Sequence, residues 1–195
     1  QGNVRLSATE LAGTLEGPVN EKTTFLASAR RSYLQLLFEA IDLPIRPNYW
    51  DFQYKVQHRI DPKTTLTLIG VGSIDNFSYA APRKASPEKL FVIDASAPIQ
   101  QWSYTFGASL KRQVKNGYWN LAISRNMFDN NIEKFDDNDE GNEAKRRFGI
   151  FSQEIENKLR FDVNKYYNEW KLSYGVSSQY VKSNNDNFKR LRQEI

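Results

Sequence analysis

Apolar and polar residues alternate along most of this chain, most cleanly between Ile99 and Met127. Trp102, Tyr104, Phe106, Ala108 and Leu110 fall on one face, and Gln101, Ser103, Thr105, Gly107, Ser109 and Lys111 on the other. A sustained period of two predicts a pleated strand with one apolar and one polar side. Lys115-Asn116-Gly117 follows, and Asn-Gly is the pair that a type I′ hairpin favours because both residues tolerate positive φ. The return strand sets Trp119, Leu121 and Ile123 against Asn120, Ala122 and Ser124. The apolar face has an aromatic at each end and smaller residues between, an order suited to a bilayer, whose two interfaces favour Trp and Tyr.

The same reading predicts six further strands. The first, about Asn3–Leu15, alternates Val4, Leu6 and Ala8 with Arg5, Ser7 and Thr9, and ends in the breaker-rich turn Glu16–Lys22. The second is about Thr23–Arg31. Ser32–Asp42 shifts to helical spacing through Leu34, Leu37, Phe38 and Ile41, with Ser32 placed to cap. Trp50–Ile60 is the third strand and Thr65–Phe77 the fourth, joined by Asp61–Thr64. Tyr79–Pro98 and the acidic stretch Phe128–Lys145 read as long loops. Arg146–Phe161 and Glu169–Lys182 are the seventh and eighth strands, linked by Asp162–Asn168. The expected fold is therefore all-β: an antiparallel up-and-down meander of about eight long strands, part of a transmembrane β-barrel, with one short helix in a long outer loop. Residues 1–182 make up the barrel part, and 183–195 a polar tail or the start of an outer loop.

Composition is consistent with this. The 195 residues contain no Cys, which removes disulfides, thiolate metal sites and cysteine nucleophiles. Net charge is +4 with mixed signs, so no nucleic-acid partner is indicated. No stretch approaches the ~18 apolar residues of a membrane helix, and a barrel strand needs none, being apolar at every second position. The sequence has no initiating Met and no signal peptide, so an exported protein is expected to be trimmed, or the sequence to be an excerpt.

Connection length sets an orientation. Glu16–Lys22, Asp61–Thr64, Lys115–Gly117 and Asp162–Asn168 are short; Ser32–Asn48, Tyr79–Pro98 and Phe128–Lys145 are long. Outer-membrane barrels have short periplasmic turns and longer outer loops. With the short ones in the periplasm, Trp50, Trp102 and Tyr180 lie at the outer interface and Trp119, Phe161 and Trp170 at the inner one. Both ends of the chain then lie on the outer side. Together with the charges that a narrow closed barrel would enclose, this suggests consecutive pieces of a larger barrel.

The runs Gly2–Glu10, Leu15-Glu16-Gly17-Pro18 and Thr24–Tyr33, then Tyr54-Lys55-Val56 with Asp61–Leu66, resemble early barrel strands of TonB-dependent outer-membrane receptors. The likeness covers about Gly2 to Lys182 and is one of strands and turns. It implies energised uptake of a ligand across the bacterial outer membrane through a barrel of about 22 strands filled by a plug. Neither the plug nor the energy-coupling box is visible in this stretch, and a descending first strand would match the second strand of such a barrel. The implied partners are outer-membrane lipid and lipopolysaccharide, the TonB energy-coupling complex through the plug, and an unknown ligand.

Candidate chemistry is sparse. His58 is the single histidine and falls on the apolar face, so histidine-based catalysis is not expected; the chain reads as a non-enzyme without a cofactor. Asp136, Asn138 and Glu140 space oxygen ligands before Gly141 as a calcium loop does, but the twelfth position is Arg147 rather than Glu, leaving a weak metal candidate. Arg30, Arg31, Arg146 and Arg147 lie near the expected outer mouth, where they can meet anionic ligands or lipopolysaccharide phosphates. Two other readings stay open. A self-contained eight-stranded adhesive or structural outer-membrane protein would pair its first and last strands. A soluble β-barrel binding module would bury Trp102, Trp119 and Trp170.

Overall fold

In the computed structural model, residues 1–191 are described; residues 192–195 of the expected polar tail lie outside them. Nine strands form one antiparallel sheet in sequence order. They are β1 (Gly2–Leu6), β2 (Glu10–Asn20), β3 (Thr23–Ser32), β4 (Ile45–Asp61), β5 (Thr64–Tyr79), β6 (Ile99–Val114), β7 (Gly117–Phe135), β8 (Arg146–Tyr167) and β9 (Trp170–Lys189). Two short helices, α1 (Leu34–Ala40) and α2 (Pro87–Ala95), lie in the connections.

The first expected strand is two strands. Ser7 accepts the backbone N–H groups of Thr9 at 3.3 Å and Glu10 at 3.1 Å, and Ser7 N–H reaches Glu10 O at 2.9 Å. A hydroxyl that supplies local hydrogen bonds lets the chain turn where the alternation alone runs straight on. This reverses the expected placement of the amino-terminal end. Gln1 bonds Glu16, at the sheet end that carries the two-residue turns, while β9 finishes at the opposite end. The short and long connections therefore alternate only from β2 onward.

The other turns are tighter than expected. Lys115 and Asn116 form the β6–β7 turn, and Gly117 already pairs with Val114. Asn116 alone takes left-handed backbone, at φ 57°, so the turn is not type I′. Strands also run further than polarity suggests: β2 continues to Asn20, β7 to Phe135, β8 to Tyr167 and β9 to Lys189. Their polar side chains continue the backbone ladder although they do not extend the alternation.

Helix α1 starts after Tyr33 rather than directly on Ser32, although Ser32 Oγ still accepts Leu34 N–H at 3.2 Å. Helix α2 is a second helix where a loop was expected. Ser86 caps it by accepting Lys89 N–H, and Pro87 opens its first turn. This helix straps three connections together. Lys89 Nζ lies 2.5 Å from Asp42, which also accepts Arg83 N–H at 2.6 Å and Lys84 N–H at 3.2 Å. At the far end of α2, Asp94 pairs with Arg147 at 3.0 Å, and buried Lys134 donates to Ile93 O at 2.6 Å. A cation at that carbonyl satisfies a helix end that has no intrahelical partner.

The sheet has almost no core. Phe135 and Val163 are the buried apolar side chains among the described residues. Trp102 and Trp170 are 39% and 79% exposed and Trp119 is half-buried, against the full burial that a soluble module requires. Strands β1 and β9 do not pair, so the closed eight-stranded arrangement is not formed either.

Two measurements follow. A Cβ on Gly117 would run into the Asn164 carbonyl oxygen on the neighbouring strand. Gly117→Ala should therefore destabilise the full-length protein by about 1–3 kcal/mol in detergent-phase urea unfolding. Hydrogen bonds from Lys89 and Arg83 hold the Asp42 carboxyl down at about 2, below its ordinary 3.8. The tie it makes is complete above pH 3.8 and lost as pH falls through about 2. Amide exchange at Arg83 and Lys84 should be slow at pH 5, and Asp42→Asn should speed it there.

Candidate functional site

The register sorts side chains onto two faces. Trp50, Ile74, Trp102 and Asp129 share one transverse row, and Leu121, Phe161 and Val176 share another on the same face. All six aromatics expected at membrane interfaces fall on this apolar face: Trp50, Trp102, Trp119, Phe161, Trp170 and Tyr180. Trp50 stacks on Phe52 at 5.9 Å, and Trp119 lies 6.1 Å from Phe161. His58 sits here too, its Nδ1 2.8 Å from Thr23 Oγ1.

The opposite face is polar and cross-linked. Thr14 donates to Ser28, Ser73 bonds Ser103, Thr105 donates to Asn126 and Ser109 to Asn120, at 2.9–3.1 Å. Near the end with the long loops stands a chain of alternating charge over four strands. Arg5 pairs with Glu10, Glu10 with Arg30 at 3.4 Å, and Arg30 with Asp51 at 2.6 Å. Arg30 also lies 5.4 Å over the Tyr49 ring. Alternating signs neutralise a buried Glu10 and fix the cations in place. Sequence reading set Arg5 opposite the apolar residues of its strand but did not join it to Glu10, since the joining depends on the extra turn at Ser7–Thr9.

The four arginines expected at the mouth do not form one site. Strand alternation separates Arg30 from Arg31, whose guanidinium stacks 4.8 Å from Trp50 on the apolar side. Arg146 is wedged between the Phe151 and Phe188 rings, 5.1 and 4.9 Å from their centroids, and pairs with Glu133 and Glu143 at 3.1 Å. Gly149 leaves room for it, because a Cβ there would meet the guanidinium. Arg147 is drawn to Asp94 and, at 3.5 Å, to Asp136.

The acidic loop turns its oxygens to cations. Asp136 pairs with Arg190, Asn138 accepts from Lys134 at 2.8 Å, and Lys145 lies 3.2 Å from both Asp137 and Asp139. Asp139 and then Asp137 hold the Lys145 ammonium above its ordinary range. Among the described residues no three His, Asp or Glu side chains gather as a metal cluster. Between this loop, α2 and the tops of β8 and β9 opens a cavity of about 1290 Å³. Its wall carries Asp94, Asp136 and Asp137 together with Arg147, Lys189 and Arg190, and Arg147 and Arg190 are ion-paired to Asp94 and Asp136 along it.

The sequence matches no family model and no curated protein. The fold does have solved counterparts. One is the ferripyoverdine receptor of the outer membrane of Pseudomonas aeruginosa, bound to ferripyoverdine: TM-score 0.66, 10% identity, covering 100% of this chain and 28% of that one. Another is FpvAI in its complex with pyocin S2: TM-score 0.61, 12% identity, 100% and 29% coverage. The chain thus spans under a third of either neighbour, and what it shares with these TonB-dependent outer-membrane receptors is the fold of part of a receptor barrel.

Proposed function

We propose that these nine strands are a consecutive part of a TonB-dependent receptor barrel in the bacterial outer membrane, and that the protein takes up a ligand without catalysis. The carrying observation is a sheet with an aromatic-edged apolar face, a cross-bonded polar face, and almost no core. Such a face needs lipid against it, and in lipid the free backbone groups of β1 and β9 need strand partners.

In this setting the two-residue turns face the periplasm and the α2-strapped loops face outward. The polar face, with the Arg5–Glu10–Arg30–Asp51 chain, lines the interior beside the plug. Strand β8, at 22 residues, is ~73 Å long and ~50 Å tall if tilted about 45°, against an apolar band ~25 Å high. The strands therefore rise well past the outer leaflet and raise the charged cavity to where an external ligand arrives. Energy would reach the barrel from the TonB complex through the plug. Energised uptake by the receptor family supports this reading, as does the ferripyoverdine bound by one structural neighbour.

The full-length protein should fractionate with the outer membrane and migrate heat-modifiably in detergent; a soluble protein would sink the proposal. Uptake of the cognate ligand should stop on adding a protonophore while surface binding persists. With Trp50, Trp102, Trp119 and Trp170 as the remaining tryptophans, brominated lipid should quench most of their fluorescence.

A further inference from the structure

Arg125 breaks the apolar face of β7. Trp119, Leu121 and Ile123 precede it on that face and Met127 follows, while the register sets Phe106, Arg125, Asn157 and Tyr180 in one transverse row. Its Nε donates to the Tyr104 hydroxyl at 3.1 Å and its Nη1 to Asn157 Oδ1 at 3.3 Å. Both partners are neutral, and among the described residues no carboxylate pairs with Arg125. Asp129, on the same face of β7, is four residues along, roughly 13 Å at ~3.3 Å per residue, and accepts from Gln153 at 3.1 Å instead. An uncompensated guanidinium on a lipid-facing wall is costly, and its planar fork fits phosphate oxygens in pairs.

The surroundings form a site. A cleft of about 430 Å³ opens beside Arg125 and Asn157, with Phe106, Ile123 and Leu159 as its apolar walls and Tyr180 at its edge. Lys182 stands one residue pair beyond Tyr180 on the same face, opposite Ile155, and adds a second exposed cation. The register sets this row four residues from the row of Trp50 and Trp102, roughly 13 Å along the strand, and the Tyr104 hydroxyl draws the Arg125 guanidinium toward that row, on the side where headgroups meet acyl chains.

We propose that this cleft binds a phosphate-bearing lipid of the outer leaflet. The phosphate sits on Arg125 with Lys182 beside it, and an acyl chain runs along Phe106, Ile123 and Leu159. The inference rests on the membrane reading above and deepens it by assigning one lipid contact to named residues.

The test uses the full-length protein in non-ionic detergent, offered lipid A, dephosphorylated lipid A or inorganic phosphate, with retained ligand read by native mass spectrometry. Lipid A should be retained, its dephosphorylated form should not, and Arg125→Gln should lower retention about tenfold or more while Arg125→Lys keeps part of it. Lys182→Gln, which alters an exposed side chain, should lower retention severalfold and keeps the test decisive if Arg125→Gln does not assemble. Equal retention by wild type and both Gln variants overturns the site. Equal retention of the dephosphorylated lipid overturns the phosphate contact, and displacement by equimolar inorganic phosphate overturns the lipid as its source. Outer-membrane fractionation of the same preparations separates these outcomes from failure of the membrane reading, which a soluble protein alone would signal.

Discussion

Cross-strand backbone hydrogen bonding carries this structure. With only Phe135 and Val163 buried as apolar side chains among the described residues, no packed interior holds the strands together. The ladder does, running unbroken from β1 to β9 with register shifts only beside Pro18, Ile60 and Phe135. Each interior strand is paired on both sides, β2 and β4 over part of their length, and such pairing is what permits a polypeptide to cross hydrocarbon. The face assignments, the aromatic rows and the polar cross-links all follow from that register, because a slip of one residue would exchange the faces.

What the sequence made legible was parity, and it did so where side chains alternate strongly. Trp102–Leu110 and Trp50–Ile60 gave strands and faces that the register reproduces, and the six aromatics expected at membrane interfaces share one side. Parity is silent where backbone continues through polar residues on both faces, as in Ser183–Lys189, so strand ends fell short. It is also silent about hydroxyl-mediated turns, and Ser7–Thr9 passed for strand. Ser86-Pro87-Glu88 did carry a helix start in plain form, a capping hydroxyl followed by Pro, which the surrounding prolines masked.

The candidate site was less legible, for a related reason. Arg30 and Arg31 are adjacent in sequence, but a pleated strand sends neighbours to opposite sides, so proximity along the chain argued for a cluster that the fold divides. The contacts that do form, Arg5 to Glu10 to Arg30 to Asp51, join residues from four strands. Arg125 was visible as a charge at an apolar position, but its two neutral partners come from β6 and β8 and required the register.

Helix α2 makes the long connections dependent on one another. Lys89 answers Asp42 in the connection before β4, and Asp94 answers Arg147 at the start of β8. In the proposed receptor these connections face outward, where a surface is under pressure to vary, and independent loops would vary freely. Here a change of charge in one loop leaves an opposite charge unanswered in another. Diversification should proceed by matched exchanges, or by replacing the three loops as a set, and a single loop grafted onto a foreign barrel should lose its shape.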